Sequence, residues 1–411
     1  MTNRSLSNHS TASPLRKRVR RVGLFALSAF GAATIGFLAW PSPIAPVAYT
    51  LTPALPLTGP LAPNDALRDV TRIGENVLRT PEDVAFDAEG RMYVGNRDPR
   101  APGETGAVGQ GERGARIDRV TFNPDGSVNR IETYARLPGG GPLDLRFDRA
   151  GNLFVASWGQ GIVRIAPDGS EKTIVPDGLN VDGKPFGYAD GIAIARDGRL
   201  FFTQGTNQPY SDAVAVQEIL EGVPRGRLLE WNPRTNAVRT LIPELNFGNG
   251  VALAPDESYV LAADQKRYRI KRYWLSGARA GTEDVFMDNL PGFVHNIFLD
   301  DRRVLWLALT QPRVPIVDDL AAQPWLRAQL AKLPTALLNP PASRDETQRG
   351  VGFVMAVDLS GKPLMSLHNP PRAVNTLSTA VYHRDALYLG SLTGNMVLRY
   401  RLTERPLPHT P

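Results

Sequence analysis

Six copies of one short pattern run along this chain, at residues 81–95, 142–157, 189–203, 248–263, 294–309 and 377–391. Each opens on a small or polar pair, continues as an alternating apolar strand, turns, and returns as a second apolar strand. A unit built from strands cannot bury both faces of its sheet alone, so it must pack against its neighbours. Copies at intervals of 46 to 83 residues fit a ring of small sheets joined by loops of unequal length. In three copies Gly90, Gly151 and Gly198 stand where a tight hairpin needs positive φ. The expected fold class is therefore all-β, a six-bladed β-propeller, with a single N-terminal transmembrane helix before it.

That helix is read from residues 22–40, an uncharged apolar run of 19 residues. This is about the length that crosses a bilayer. Arg16, Lys17, Arg18, Arg20 and Arg21 precede it, which places segment 1–21 in the cytoplasm and the rest outside, in a periplasm, lumen or extracellular space. A cleaved signal peptide is the competing reading. Against it, Pro41, Pro43 and Pro46 crowd the region where a small-residue cleavage site belongs. Residues 41–69 read as a Pro-rich tether, 70–403 as the propeller and 404–411 as a tail. Residues 318–338 break the strand pattern with Leu320, Trp325, Leu326, Leu330 and Leu333 at near-helical spacing. They predict a helical insertion that packs on the propeller, covers its channel or touches the membrane. Residues 98–117 and 204–222 read as further long loops.

The formal charge of +6 says little about partners. Six basic residues and no acidic one precede residue 49, so the remainder holds 41 of each sign. A neutral body argues against a nucleic-acid surface. With no cysteine there is neither a disulfide framework nor a thiolate site.

In a propeller the innermost strands line the axis, so the pairs that open the copies should ring the channel mouth. Aligned, they put Glu82, Leu143, Ala189, Asn249, His295 and Ser378 at one position. Asp83, Asp144, Asp190, Gly250, Asn296 and Thr379 follow at the next. Carboxylate and amide oxygens are what Ca²⁺ prefers. A histidine among them admits another ion, or a general base. The recurring aspartates have a plainer reading, as acceptors for neighbouring backbone N–H groups.

Segment 226–293, with Arg272-Tyr-Trp-Leu-Ser-Gly and Asn289-Leu-Pro-Gly-Phe, together with Ser366-Leu-His-Asn-Pro and Leu387-Tyr-Leu-Gly-Ser, resembles the strictosidine synthase-like family. Within it, the chain is most similar to the membrane-anchored adipocyte plasma membrane-associated type, over about residues 75–403. The resemblance implies a six-bladed propeller distantly related to paraoxonases, regucalcin and gluconolactonases. In those hydrolases a channel Ca²⁺ polarises an ester or lactone carbonyl. It implies Glu82, Asn249 and Asn296 as metal ligands, with His295 replacing an Asp and Ala189 replacing an Asn. Ser378 stands where the condensing enzyme of the family carries its Glu. The expectation is a membrane-anchored arylesterase or lactonase acting on a small ester or lactone. A divalent metal, Ca²⁺ first, would bind Glu82, Asn249, Asn296 and His295, while His295 or Asp190 activates water. The alternatives are a non-catalytic binding propeller and, more weakly, a condensing enzyme.

Overall fold

The computed structural model describes residues 14–97, 115–209, 212–338, 352–368 and 376–402. Segments 1–13 and 404–411, expected as part of a cytoplasmic segment and as a tail, lie outside the described residues, as does most of the expected loop 98–117.

Six four-stranded antiparallel sheets are arranged as blades. Their innermost strands are Pro81–Phe86, Gly141–Phe147, Ala189–Ile194, Gly248–Leu253, Gly292–Leu299 and Leu377–His383, in chain order. Each packs against the next, and the last packs against the first. The ring closes through Thr71–Ile73, which adds the outer strand of blade 6 by pairing with Val397–Arg401. Joining the first and last strands of the propeller in one blade closes the ring. The strands bury apolar side chains on both faces, as in Leu305–Leu309 with Trp306 fully buried.

The hairpin turns keep one conformation with different residues. Gly90, Gly151 and Gly198 have φ of 79°, 81° and 87°. The corresponding turns of blades 4, 5 and 6 use Glu257, Arg303 and Arg384 at 57°, 66° and 58°. In those three blades the fold imposes the left-handed region on residues that do not favour it.

All six innermost strands carry a register shift near their start: between the first and third or fourth residues in blades 1, 3, 4 and 6, between Pro142 and Asp144 in blade 2, and between Val294 and Ile297 in blade 5. The residues inside these shifts form the channel ring. A bulge re-aims side chains and breaks period-two alternation. The pairings Pro81↔Asn96, Ala189↔Gln204, Gly248↔Asp264 and Leu377↔Ser391 set the register. They correct the sequence alignment in blade 3: Asp190, not Ala189, is the counterpart of Glu82, and Gly191 is the counterpart of Asp83.

With that register, the second ring position ties neighbouring blades together. The Leu145 N–H of blade 2 donates to Asp83 Oδ2 at 2.9 Å, and the Ile192 N–H of blade 3 donates to Asp144 Oδ2 at 2.9 Å. In blades 3 and 4 glycine takes this position because the next backbone comes too close for a side chain. A Cβ on Gly191 would sit 2.6 Å from Asn249 O, and one on Gly250 would sit 2.3 Å from Ile297 N. Thr203 links blades 3 and 4 by accepting from the Gly191 N–H and donating to Asn249 O.

The segment expected as a Pro-rich tether makes backbone contacts with the propeller and its insertions. Val47 N–H donates to Glu221 O, Tyr49 N–H to Ala321 O and Leu55 N–H to Asn289 O, so the chain is strapped across the propeller. Proline-rich sequence favours an extended path but does not prevent edge contacts with other backbone. The expected loop 204–222 contains a helix, α2 (Asp212–Glu221), when α1 denotes the N-terminal helix Pro14–Ala39. The insertion forms three short helices, α3 (Pro315–Asp319), α4 (Pro324–Leu330) and α5 (Thr335–Leu338). Helix α1 covers most of the apolar run, and Phe25, Leu27, Phe30 and Ile35 on it are exposed. Among the described residues no helix is long and apolar enough to cross a membrane.

The Gly250 contact yields a stability test. Gly250→Ala should destabilise the chain by about 1–3 kcal/mol through overpacking against blade 5, read as a lowered denaturant midpoint with an unchanged slope. An unaltered midpoint would mean that blades 4 and 5 do not approach as described.

Candidate active site in the channel mouth

The first ring position now reads Glu82, Leu143, Asp190, Asn249, His295 and Ser378, one residue from each blade. All six are buried. Three features decide what this ring can do.

The first is the pairing of Glu82. Arg97 Nη1 donates to Glu82 Oε2 at 2.9 Å. Arg97 leaves the second strand of blade 1, one residue beyond the Pro81↔Asn96 pair, so the hairpin returns it to the mouth. Burial pushes the Glu82 carboxyl up, and the Arg97 charge and hydrogen bond pull it back. The sequence reading missed Arg97. The signal was its place at the end of the returning strand, which only a hairpin register makes visible.

The second is the state of His295. Its Nδ1 lies 3.1 Å from Ser378 O, which accepts only, so Nδ1 carries the hydrogen and Nε2 holds a lone pair. Nε2 faces Glu82 Oε1 at 3.6 Å, too far for a hydrogen bond. Burial first, and the Arg97 charge second, push the His295 pKa down to about 3. The imidazole is neutral at physiological pH, and so weakly basic that it is a poor acceptor for a water proton.

The third is Asp190. It is 2% exposed, and its Oδ1 has no hydrogen-bond partner. Burial, then repulsion from Glu82, pushes its carboxyl well above the ordinary value, with Arg97 opposing. The contrast with Asp83 and Asp144 follows from register: those carboxylates accept from the next blade, and Asp190 sits one position earlier. An acid tuned upward in a channel is what general acid–base chemistry needs.

The remaining ring residues are engaged in structure. Ser378 Oγ donates to Glu82 O at 2.6 Å, closing blade 6 on blade 1. Asn249 Oδ1 accepts from the Gly250 N–H at 2.9 Å. Asn296 Nδ2 donates to Leu143 O at 3.3 Å, across the axis, while its Oδ1 is buried without a partner. Deeper in the channel, Arg146 Nη1 lies 3.0 Å from Asp83 Oδ2 and 2.5 Å from Asp144 Oδ1, with its guanidinium over Phe298. The mouth is thus floored by two carboxylates that share one guanidinium. Beside the ring, Leu143, Tyr188, Phe247 and Trp158 pack together as an apolar cluster, and Tyr188 and Phe247 immediately precede the innermost strands of blades 3 and 4.

The donors expected to hold a divalent ion do not fit one in this arrangement. A guanidinium occupies the carboxylate that should lead the ligand set, and a second cation there meets direct repulsion. Asn249 Oδ1 accepts from a backbone N–H, and His295 keeps only its Nε2 lone pair free, 3.6 Å from the carboxylate that Arg97 already pairs. Among the described residues no three His, Asp or Glu side chains converge as a metal site. Beside the His295 Nε2 lone pair, Asp190 Oδ1 and Asn296 Oδ1 are buried acceptors without a partner.

Known proteins share this architecture. A strictosidine synthase family model matches residues 190–278, and an N-terminal strictosidine synthase-like model matches residues 59–98. The adipocyte plasma membrane-associated protein of Bos taurus is 30% identical over 370 residues, covering 88% of this chain and 85% of that protein. The chain belongs to the strictosidine synthase-like family. Protein strictosidine synthase-like 7 of Arabidopsis thaliana is 28% identical over 350 residues, covering 84% of this chain and 85% of that protein. Among solved structures, a gluconolactonase from Xanthomonas campestris superposes with a TM-score of 0.53 at 15% identity, over 90% of this chain and 99% of that one. Regucalcin from Agrobacterium tumefaciens, described as calcium-binding, gives 0.51 at 13%, over 80% and 92%. At such identity these two establish the propeller fold.

The state of Asp190 can be read from stability. A carboxyl raised above its ordinary value of 3.8 contributes fully below that pH, and the contribution is lost as pH rises through the folded value. Asp190→Asn should therefore stabilise the protein at pH 8 by about 1–3 kcal/mol, with the gain vanishing toward pH 3.8. Destabilisation at every pH in thermal melts would make Asp190 a structural cap instead.

Proposed function

We propose that this chain is a membrane-anchored, extracytoplasmic hydrolase of the arylesterase or lactonase class, acting at the channel mouth on a small ester or lactone. The observation that carries the reading is Asp190, a buried and unpartnered carboxyl with a raised pKa, beside the Glu82–Arg97 pair and an apolar cluster. Lactonase-type propellers of the same fold, such as the gluconolactonase, support the substrate class. Relatives described as plasma membrane-associated, together with residues 22–40, support the anchor.

The chemistry needs only this chain's residues. The ester lies with its apolar part against Tyr188, Phe247 and Trp158. Ionised Asp190 takes a proton from water as the water oxygen bonds to the carbonyl carbon. The carbonyl oxygen becomes an alkoxide, which the positive charge of Arg97 stabilises in a dry site. Collapse breaks the bond to the leaving oxygen, and Asp190 returns its proton there, giving acid and alcohol. His295, neutral and weakly basic, holds the start of blade 6 through Ser378 O and does not transfer the proton. Ser378, whose hydroxyl is engaged by Glu82 O, supplies no acid or base for a condensation.

The test is a panel of aryl esters and lactones with the full chain. Asp190→Asn should lower kcat/KM by about 10²–10⁴, and Arg97→Gln by about 10²–10³. The wild-type profile should rise with pH on one limb, which Asp190→Asn abolishes and His295→Gln retains. Chelation should leave turnover unchanged; its loss, together with a bound ion released by Glu82→Gln, would replace this route by a metal-centred one. Undiminished activity of Asp190→Asn sinks the proposal. The Glu82–Arg97 pair also favours a second reading, a non-catalytic propeller that binds a ligand at the same mouth. That reading expects no turnover of any ester or lactone.

A further inference from the structure

The channel mouth and the helical insertion lie on the same face of the propeller. The pairing Gly292↔Pro312 puts the exit of the second strand of blade 5 beside the start of its innermost strand, and α3–α5 follow that exit. Ala189↔Gln204 does the same for α2 in blade 3. The docked strap runs over this face and holds it together. Arg327 of α4, almost wholly buried, donates to Leu220 O and Ala321 O at 2.9 Å and also to Val47 O. The Tyr49 ring centroid lies 3.5 Å from the guanidinium carbon of Arg267 and 4.9 Å from that of Arg327.

The N-terminal helix ends on this same construction. Lys332, just after α4, donates to Phe37 O and Leu38 O at 2.9 and 3.1 Å. These carbonyls belong to the last turn of α1, where a cation is favourable. The apolar exposed helix is therefore fixed to the insertion rather than tethered loosely to the propeller. The insertion in turn exposes a large apolar side chain on each of its three helices: Ile316 at 67%, Trp325 at 64% and Leu337 at 67%. Trp40, next to the fixed end of α1, is 70% exposed. Single exposed apolar residues are ordinary. Three on one short insertion, bonded to the end of an apolar helix beside Trp40, are what a lipid-facing surface requires, and tryptophan suits the headgroup layer.

We propose that α3–α5 rest in the headgroup layer of the bilayer that receives α1, so that the channel mouth opens toward the membrane surface. The anchor that brings α1 to the bilayer rests on the reading above. So does the consequence for substrate, a preference for esters that partition into lipid.

The full chain, reconstituted at one copy per phosphatidylcholine nanodisc, tests this with lipids brominated near the headgroup. The chain has six tryptophans, and Trp158, Trp231, Trp274 and Trp306 belong to the blades. Trp40→Phe should retain bromine-dependent quenching of emission, and Trp40→Phe with Trp325→Phe should lose it. Equal quenching in the two variants overturns the proposal. So does quenching that depends on a second copy per disc, since the face would then be an interface between chains. A separate arm reads substrate: Trp325→Asp should lower kcat/KM several-fold for a liposome-dissolved ester and leave a water-soluble aryl ester unchanged. Equal loss on both esters overturns the substrate preference. If no ester is turned over by the wild type, the hydrolase reading fails, and the quenching arm still decides the membrane contact.

Discussion

The contact between neighbouring innermost strands is the constraint on which everything else in this protein depends. A propeller has no central core to spare, because its axis is lined by backbone from six separate sheets. Those backbones carry N–H and carbonyl groups that must be satisfied without water. Here each junction finds its own solution. Asp83 and Asp144 accept from the next blade, Thr203 bridges two backbones, and His295 and Ser378 reach across two more. Between blades 4 and 5, glycine lets the chains touch directly. Most of the channel's polar side chains are thereby committed to holding the ring closed.

Function then falls to what remains uncommitted. A ring with Asp83, Asp144, Asp190 and Glu82 concentrates negative charge in a dry space, which is stable only if it is neutralised. Arg146 pairs with Asp83 and Asp144 together, where burial and the neighbouring Asp83 push the Asp144 carboxyl up, and Arg97 answers Glu82. Asp190 is left with no cation of its own and no backbone donor, and its carboxyl responds by holding its proton more tightly. The same charge balance explains why a divalent ion does not fit. Arg97 already delivers positive charge to the mouth, and does so through a fixed, planar donor rather than an exchangeable ion.

The loops on the mouth face add a second level of organisation. Long connections leave the second strands of blades 3 and 5 on the side where the ring opens, and their helices are cross-braced by the strap through Arg327 and Tyr49. Binding surfaces of propellers arise this way because a rigid scaffold tolerates insertion at the exits of its strands. The end of helix α1 is drawn into the same brace by Lys332, which donates to Phe37 O and Leu38 O.

The sequence by itself determined the fold and much of the ring. Six alternating apolar copies could bury their faces only around an axis, and turn glycines placed the hairpins. Glu82, Asn249 and His295 were assigned to the mouth from alignment alone. Tertiary structure decided the rest. Asp190 changed position because a bulge suspends the alternation on which alignment relies, so a one-residue shift in blade 3 was invisible in one dimension. Arg97 and the aromatic cluster of Tyr188 and Phe247 meet the ring only after strands pair and blades close. The strap is composed like a linker and becomes structure through backbone contacts, which composition does not encode. Local pattern tells which residues can lie on a strand facing the axis. Which of them are used up by a neighbouring blade is a property of the closed ring, because each partner comes from a distant part of the chain.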